Sequence, residues 1–233
     1  MDADVEAIHQ GFLRGAKARG AEIRLGQEVT VIARDGSGFA VTCASGETFQ
    51  AGVVINAAGA WADRIAELAG VRPVGLQPLR RTAMIIDGPA GVDVRAWPMV
   101  IDADEDFYFK PDAGRLLASP ADETPVEPHD AWADEMDVAV CIERVQAAAD
   151  IPVQRIVRSW AGLRSFVADR SPVIGFDAGT PGFFWLAGQG GYGVQTAPAA
   201  ARTAAALARR EAVPADIAAQ GVTAESLSPA RLR

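Results

Sequence analysis

At 233 residues, 49% of them hydrophobic and 22% charged, the chain can bury one large core or two small ones and is too apolar for disorder. A net charge of −8, with Arg80-Arg81 and Arg209-Arg210 as its dense cationic pairs, argues against a nucleic-acid binder. No run approaches the roughly 18 to 20 apolar residues of a membrane span. The start, Met1-Asp2-Ala3-Asp4-Val5-Glu6, is acidic where a secretory signal is basic and then apolar, so a cytoplasmic location is expected.

Val5, Ile8, Phe12 and Leu13 recur at helical spacing and predict an amphipathic helix from Asp2 to Arg19, stopped at Gly20. Short strands are expected at Glu22 to Leu25, Glu28 to Arg34, Phe39 to Cys43 and Glu47 to Gln50, the middle ones forming a meander. Val53 to Asn56 then reads as an apolar strand that runs through Ala57-Ala58-Gly59-Ala60-Trp61 into a helix from Ala62 to Leu68, one βα unit.

From Pro73 the pattern changes to strand-like pieces at Gln77 to Asp87, Trp97 to Ile101, Phe107 to Lys110 and Leu116 to Ser119, an antiparallel layer. The acidic stretch Asp122 to Asp137 is expected to be a solvated loop leading into a helix from Asp134 to Ala149. Strands follow at Gln154 to Trp160, Pro172 to Phe176 and Phe183 to Ala187. A glycine-rich turn and an Ala-rich helix from Thr196 to Arg210 come next, then Pro214 and a polar tail.

Cys43 and Cys141 lack a CxxC partner, and His9 and His129 are isolated. Neither a metal site nor a disulfide framework is therefore suggested, and both thiols are expected to be reduced and partly buried. The sharpest motif is Gly188-Gln189-Gly190-Gly191-Tyr192-Gly193, which satisfies G-x-G-x-x-G between a strand and a helix. A dinucleotide fold would need a further strand carrying a ribose-binding acid, and none follows. What survives is a helix start whose bare backbone N–H groups suit an anionic or electron-rich group.

Three strings in order, Val54-Ile55-Asn56-Ala57-Ala58-Gly59-Ala60-Trp61-Ala62, Trp160-Ala161-Gly162-Leu163-Arg164-Ser165-Phe166 and Ala187-Gly188-Gln189-Gly190-Gly191-Tyr192-Gly193-Val194-Gln195-Thr196, resemble the FAD-dependent D-amino-acid oxidase family. Leu76 to Arg81, Phe107 to Gly114 and Leu227 to Leu232 are similar to its D-arginine dehydrogenase type. The resemblance covers the whole chain. It leaves without counterpart the first third of such a protein, the G-x-G-x-x-G unit that binds the ADP half of FAD.

The resemblance implies an α/β fold: a FAD-binding domain from residues 1–72 and 161–233 lacking its N-terminal βαβ unit, interleaved with an antiparallel substrate domain of residues 73–160. It implies that Arg164 grips the substrate carboxylate, that Tyr108 and Arg81 assist it, and that Gly191 offers its carbonyl to the substrate amine. Gly190, Gly191, Tyr192, Gly193, Val194 and Gln195 would run under the flavin, Val29 would meet the adenine, and Ala58, Gly59 and Trp61 would lie near the dinucleotide. On the residues alone, Arg164 could instead pair with Asp169, Tyr108 could be core, and Trp61 could be plain packing. The implied activity is flavin-dependent oxidative deamination of D-amino acids. The alternatives are a non-catalytic chain binding a partner, and a glycine or sarcosine oxidase-like enzyme.

Overall fold

The computed structural model describes residues 3–233; Met1 and Asp2, the expected start of the first helix, lie outside the described residues. The chain divides into two compact units, Met1–Leu76 with Phe166–Arg233, and Gln77–Ser165.

In the first unit, α1 (Val5–Ala18) begins where the Asp4 side chain accepts the Ala7 N–H at 2.9 Å, a cap for a donor the helix leaves unpaired. None of its residues is buried. The strand expected at Glu22 to Leu25 does not form: no neighbouring strand supplies a ladder, Arg24 turns onto Glu22 two residues away, and Leu25 is 87% exposed. The meander follows as β1 (Val29–Asp35), β2 (Gly38–Cys43) and β3 (Thr48–Ala51), antiparallel and in that order. Then β4 (Val54–Asn56) leads through a 3₁₀ turn at Gly59–Trp61 into α2 (Ala62–Leu68). Buried Asn56 fixes this turn, donating to the Ala62 carbonyl at 2.7 Å and accepting from the Ala58 N–H. The Asp63 carboxylate accepts the N–H groups of Val74, Gly75 and Leu76 and so closes the loop after α2.

The second unit is one sheet with a helix on one face. Its elements are β5 (Gln77–Ile86), β6 (Val100–Ile101), β7 (Tyr108–Asp112), β8 (Arg115–Ser119), β9 (Thr124–Pro125), α3 (Glu135–Ala148) and β10 (Ile156–Phe166), the last ending one residue inside the first unit. Strand order is β10-β5-β8-β7-β6, with β9 against β5. Val138, Cys141 and Val145 of α3 pack on Met84, Ile86, Phe107, Phe109 and Leu116. Alternation along β5 and β7 sends Arg81 and Tyr108 to the opposite face.

Three expectations change here. Only Val100–Ile101 of the Trp97 to Ile101 segment pairs, because Pro98 has no N–H for a ladder. The strand expected to end at Trp160 continues to Phe166. The stretch from Asp122 is not simply solvated: it contains β9, and Asp122 is nearly buried, accepting the Thr82 N–H at 2.6 Å. Burial holds the Asp122 carboxyl above the usual carboxylate range, opposed by that bond.

Back in the first unit, β11 (Val173–Phe176) runs antiparallel to β12 (Phe183–Ala187), which pairs in parallel with β4. α4 (Gly193–Ala208), α5 (Ala215–Ala218), α6 (Ala224–Leu227) and a 3₁₀ turn at Pro229–Leu232 follow. The continuous apolar run of β12 is explained by burial on both faces. Phe183 and Trp185 face Ile32, Phe39, Ala62 and Ala66, while Phe184 faces Ile174, Ala204 and Leu227. The residues beyond Pro214 are not a loose polar tail. Arg231 holds Asp169 at 2.7 Å, and Arg233 holds buried Asp177, which also accepts from the Gly179 and Thr180 N–H groups and from Trp185 Nε1.

Both cysteines are free and fully buried, more than expected, and burial pushes the Cys141 thiol up to about 12. Among the described residues no helix is long and apolar enough to cross a membrane.

Candidate functional site

In the second unit the face of the sheet opposite α3 carries three expected site residues. Arg81 on β5 donates from Nε to the Asp122 carbonyl at 2.7 Å and from a terminal nitrogen to Glu123 at 3.4 Å. Arg164, near the end of β10, is half-buried and meets no carboxylate or hydrogen-bond acceptor among the described residues. Burial, followed by the neighbouring charge of Arg81, pushes the Arg164 guanidinium below its ordinary value, while Tyr108, Glu123 and Asp122 pull it back. Arg81 is ion-paired with Glu123, whereas Arg164 makes no ion pair of its own among the described residues and so keeps a planar fork of donors that an anion would suit. Asp169, the alternative partner for Arg164, lies in the first unit and is engaged there by Arg231 through two bonds.

The first unit carries the glycine turn. Gly188 and Gly190 have φ of +71° and +54°, and a Cβ at Gly190 would stand 2.3 Å from Phe166 Cε1, so only glycine fits. α4 starts at Gly193, three residues before the expected Thr196, which makes Gly193, Val194 and Gln195 its first turn. No side chain caps that turn; the Tyr192 side chain at the N-cap provides no bond. The N–H groups of a first helical turn have no partner within the helix, and here they carry the helix's partial positive charge to an exposed surface. Gly191 and Tyr192 are exposed beside them.

A separate cleft of about 780 Å³ in the same unit joins Val29 to Trp61, with Glu28, Thr30, Arg64, Ile65, Glu67 and Leu68 also lining it. Ala58 and Gly59 sit in the turn just before Trp61 but are not part of this lining. Arg64, Ile65 and Leu68 were missed by sequence reasoning, although their spacing of three, four and seven from Trp61 on a helix was a usable signal. Glu123, the partner of Arg81, was missed too, since nothing local in sequence links it to β5.

The sequence matches the FAD dependent oxidoreductase family, DAO, over residues 2–207. The chain belongs to this family. It is 28% identical to glycine oxidase of Geobacillus kaustophilus over 192 residues, covering 82% of this chain and 49% of that protein. It is 24% identical over 213 residues to the hydrogen cyanide synthase subunit HcnC of Pseudomonas aeruginosa, covering 91% and 50%. The crystal structure of the Geobacillus glycine oxidase superimposes with a TM-score of 0.71 over 84% of this chain and 51% of that one. L-proline dehydrogenase from P. horikoshii, at 23% identity, shares the fold with a TM-score of 0.76 over 98% and 60%. The chain therefore spans about half the length of these curated relatives.

The fold is the mixed α/β architecture of FAD-dependent oxidases, and FAD is the cofactor of the family. The residues present suit such a group: a turn in which a Cβ would collide with its own support, an uncapped helix start, and a cleft with an aromatic wall.

Proposed function

We propose that the whole protein oxidises the carbon–nitrogen bond of D-amino acids, as an enzyme of the D-arginine dehydrogenase type, in the cytoplasm. The observation that carries this reading is Arg164, a half-buried planar fork with no ion pair of its own among the described residues, beside Arg81 and Tyr108. Arg164 would take the substrate carboxylate through two parallel bonds, and the Tyr108 hydroxyl would donate another. Arg81, tethered to the Asp122 carbonyl and Glu123, adds positive charge without being free to swing. By the family resemblance, the Gly191 carbonyl would accept from the substrate amine.

Val29 and Trp61, with Ala58 and Gly59, would hold the nucleotide portion of FAD, and Gly190 to Gln195 its ring system. The uncapped N–H groups at the start of α4 favour negative charge on the group they face. Bound FAD would supply the acceptor for the α-carbon hydride, leaving an imine that water hydrolyses to a 2-oxo acid and ammonia.

Completion of the flavin site by polypeptide outside residues 1–233, a partner chain included, is part of this proposal. The 28% identity to a glycine oxidase favours a second reading, in which glycine or sarcosine is the substrate. HcnC is a subunit of a hydrogen cyanide synthase, which favours association of this chain with a partner chain.

The test is Arg164→Lys in the FAD-loaded whole protein. An ammonium cannot reproduce the two bonds, so kcat/KM for D-amino acids should fall by roughly 30- to 1000-fold, about 2 to 4 kcal/mol, while flavin stays bound. Near-normal turnover with a lowered melting temperature would make Arg164 a structural residue.

A further inference from the structure

We infer that Arg170, acting through the Phe166 ring, is a positioning residue for the glycine turn that precedes α4. The inference concerns the turn's own geometry, and its relevance to cofactor binding rests on the flavin reading above. The guanidinium carbon of Arg170 lies 3.9 Å from the Phe166 ring centroid, at the contact distance of a cation on an aromatic face. Phe166 is buried, and a Cβ built on Gly190 would come within 2.3 Å of its Cε1, 2.8 Å of Cδ1 and 3.0 Å of Cζ. The Gly190 backbone therefore rests directly on this ring, and the place of the ring sets the place of the turn.

Arg170 holds a φ of +58°, a backbone conformation that a long L side chain rarely adopts and that glycine would adopt without strain. Its neighbours impose that conformation. The Arg170 N–H donates to the Val167 carbonyl at 2.9 Å, the Asp169 carboxylate accepts the Ser171 N–H at 3.0 Å, and the same carboxylate is clamped by Arg231. The turn sets the direction in which the exposed Arg170 side chain leaves the backbone, and its guanidinium lies over the ring. The glycine turn, by contrast, has two residues at positive φ and few bonds of its own: the Tyr192 N–H reaches the Gln189 carbonyl at 3.2 Å, and the Thr196 N–H the Tyr192 carbonyl at 3.0 Å. Its order is supplied from outside, by Phe166 under Arg170, and with it the aim of the α4 N–H groups.

Hydrogen exchange at the Tyr192 and Thr196 amides reads this coupling directly, in the 233-residue chain without flavin. Arg170→Gln and Phe166→Leu should each speed exchange at these two amides by about tenfold while β11 and β12 keep their rates, and Phe166→Tyr, which keeps the ring, should restore the original rates. Unchanged exchange in both variants, or acceleration spread equally over β11 and β12, would overturn the inference, since a merely structural contact loosens the whole core. Added FAD separates the two claims in the whole protein. If FAD fails to slow the Gly193, Val194 and Gln195 amides, the flavin reading of the turn is contradicted, and the variants still decide the role of Arg170.

Discussion

Arg80 and Arg81 are adjacent and chemically identical, yet the alternation of β5 gives them different work. Arg80 turns toward the start of α3 and bonds Asp137 at 2.8 Å, with its Nε buried and making no hydrogen bond. Arg81 turns to the face that holds Tyr108 and Arg164. The sequence contained both arginines but not the counter-charges, because Asp122 and Glu123 reach β5 from some 40 residues away through tertiary pairing. Asp169 shows the same dependence on distant partners. Its carboxyl is held well below the usual carboxylate range, first by its hydrogen bond from Arg231, with burial opposing. A depressed folded value means that the stabilisation is present above the ordinary carboxylate pKa and is lost as pH falls through the folded one. The side chain is 43% exposed, so screening limits this to roughly 0.2 to 1 kcal/mol. Asp169→Asn should therefore flatten the acid limb of stability in denaturant melts taken across the carboxylate range. An unaltered pH slope would show that the Arg231 pair contributes nothing.

At the scale of elements, the turn before α4 is the most constrained feature. Gly190→Ala adds a methyl where Phe166 already stands and forces an L residue to φ +54°. Together these should cost about 2 to 4 kcal/mol in chemical denaturation, and a loss under about 1 kcal/mol would mean that the turn yields easily. Elements whose signals are local were legible in the sequence. The bounds of α2 came out as expected because a small-residue turn precedes it and Gly70 follows. β12 was legible from its unbroken Phe-Phe-Trp-Leu-Ala run. Elements that need a partner were not: Glu22 to Leu25 has strand-like residues but nothing to pair with, and the two residues of β9 exist only because β5 lies alongside. The start of α4 was read three residues late because glycines argue against helix, whereas here they occupy its uncapped first turn.

At the scale of the whole molecule, residues before Leu76 and after Phe166 share one core, in which Ile32 and Phe39 meet Val173 and Phe183. Outside that core α1 has no buried residue: Val5 and Phe12 are 55% and 52% exposed, and Ile8, Phe12 and Ala16 form a groove with Pro198. An apolar face of this kind drives association. The 233-residue chain alone should sediment as more than a monomer, and Phe12→Glu should shift it toward the monomer; a compact monomer at tens of micromolar, with or without the substitution, would contradict this. The measurement that bears most directly on function is anaerobic mixing of the FAD-loaded whole protein with D-amino acids, L-amino acids, glycine and sarcosine, following the visible absorbance of the flavin. Rapid bleaching by D-amino acids, lost in Arg164→Lys, is the expected result. Flavin that stays oxidised with every one of these amines would contradict the assignment of an amino-acid oxidising site to Arg81, Tyr108 and Arg164.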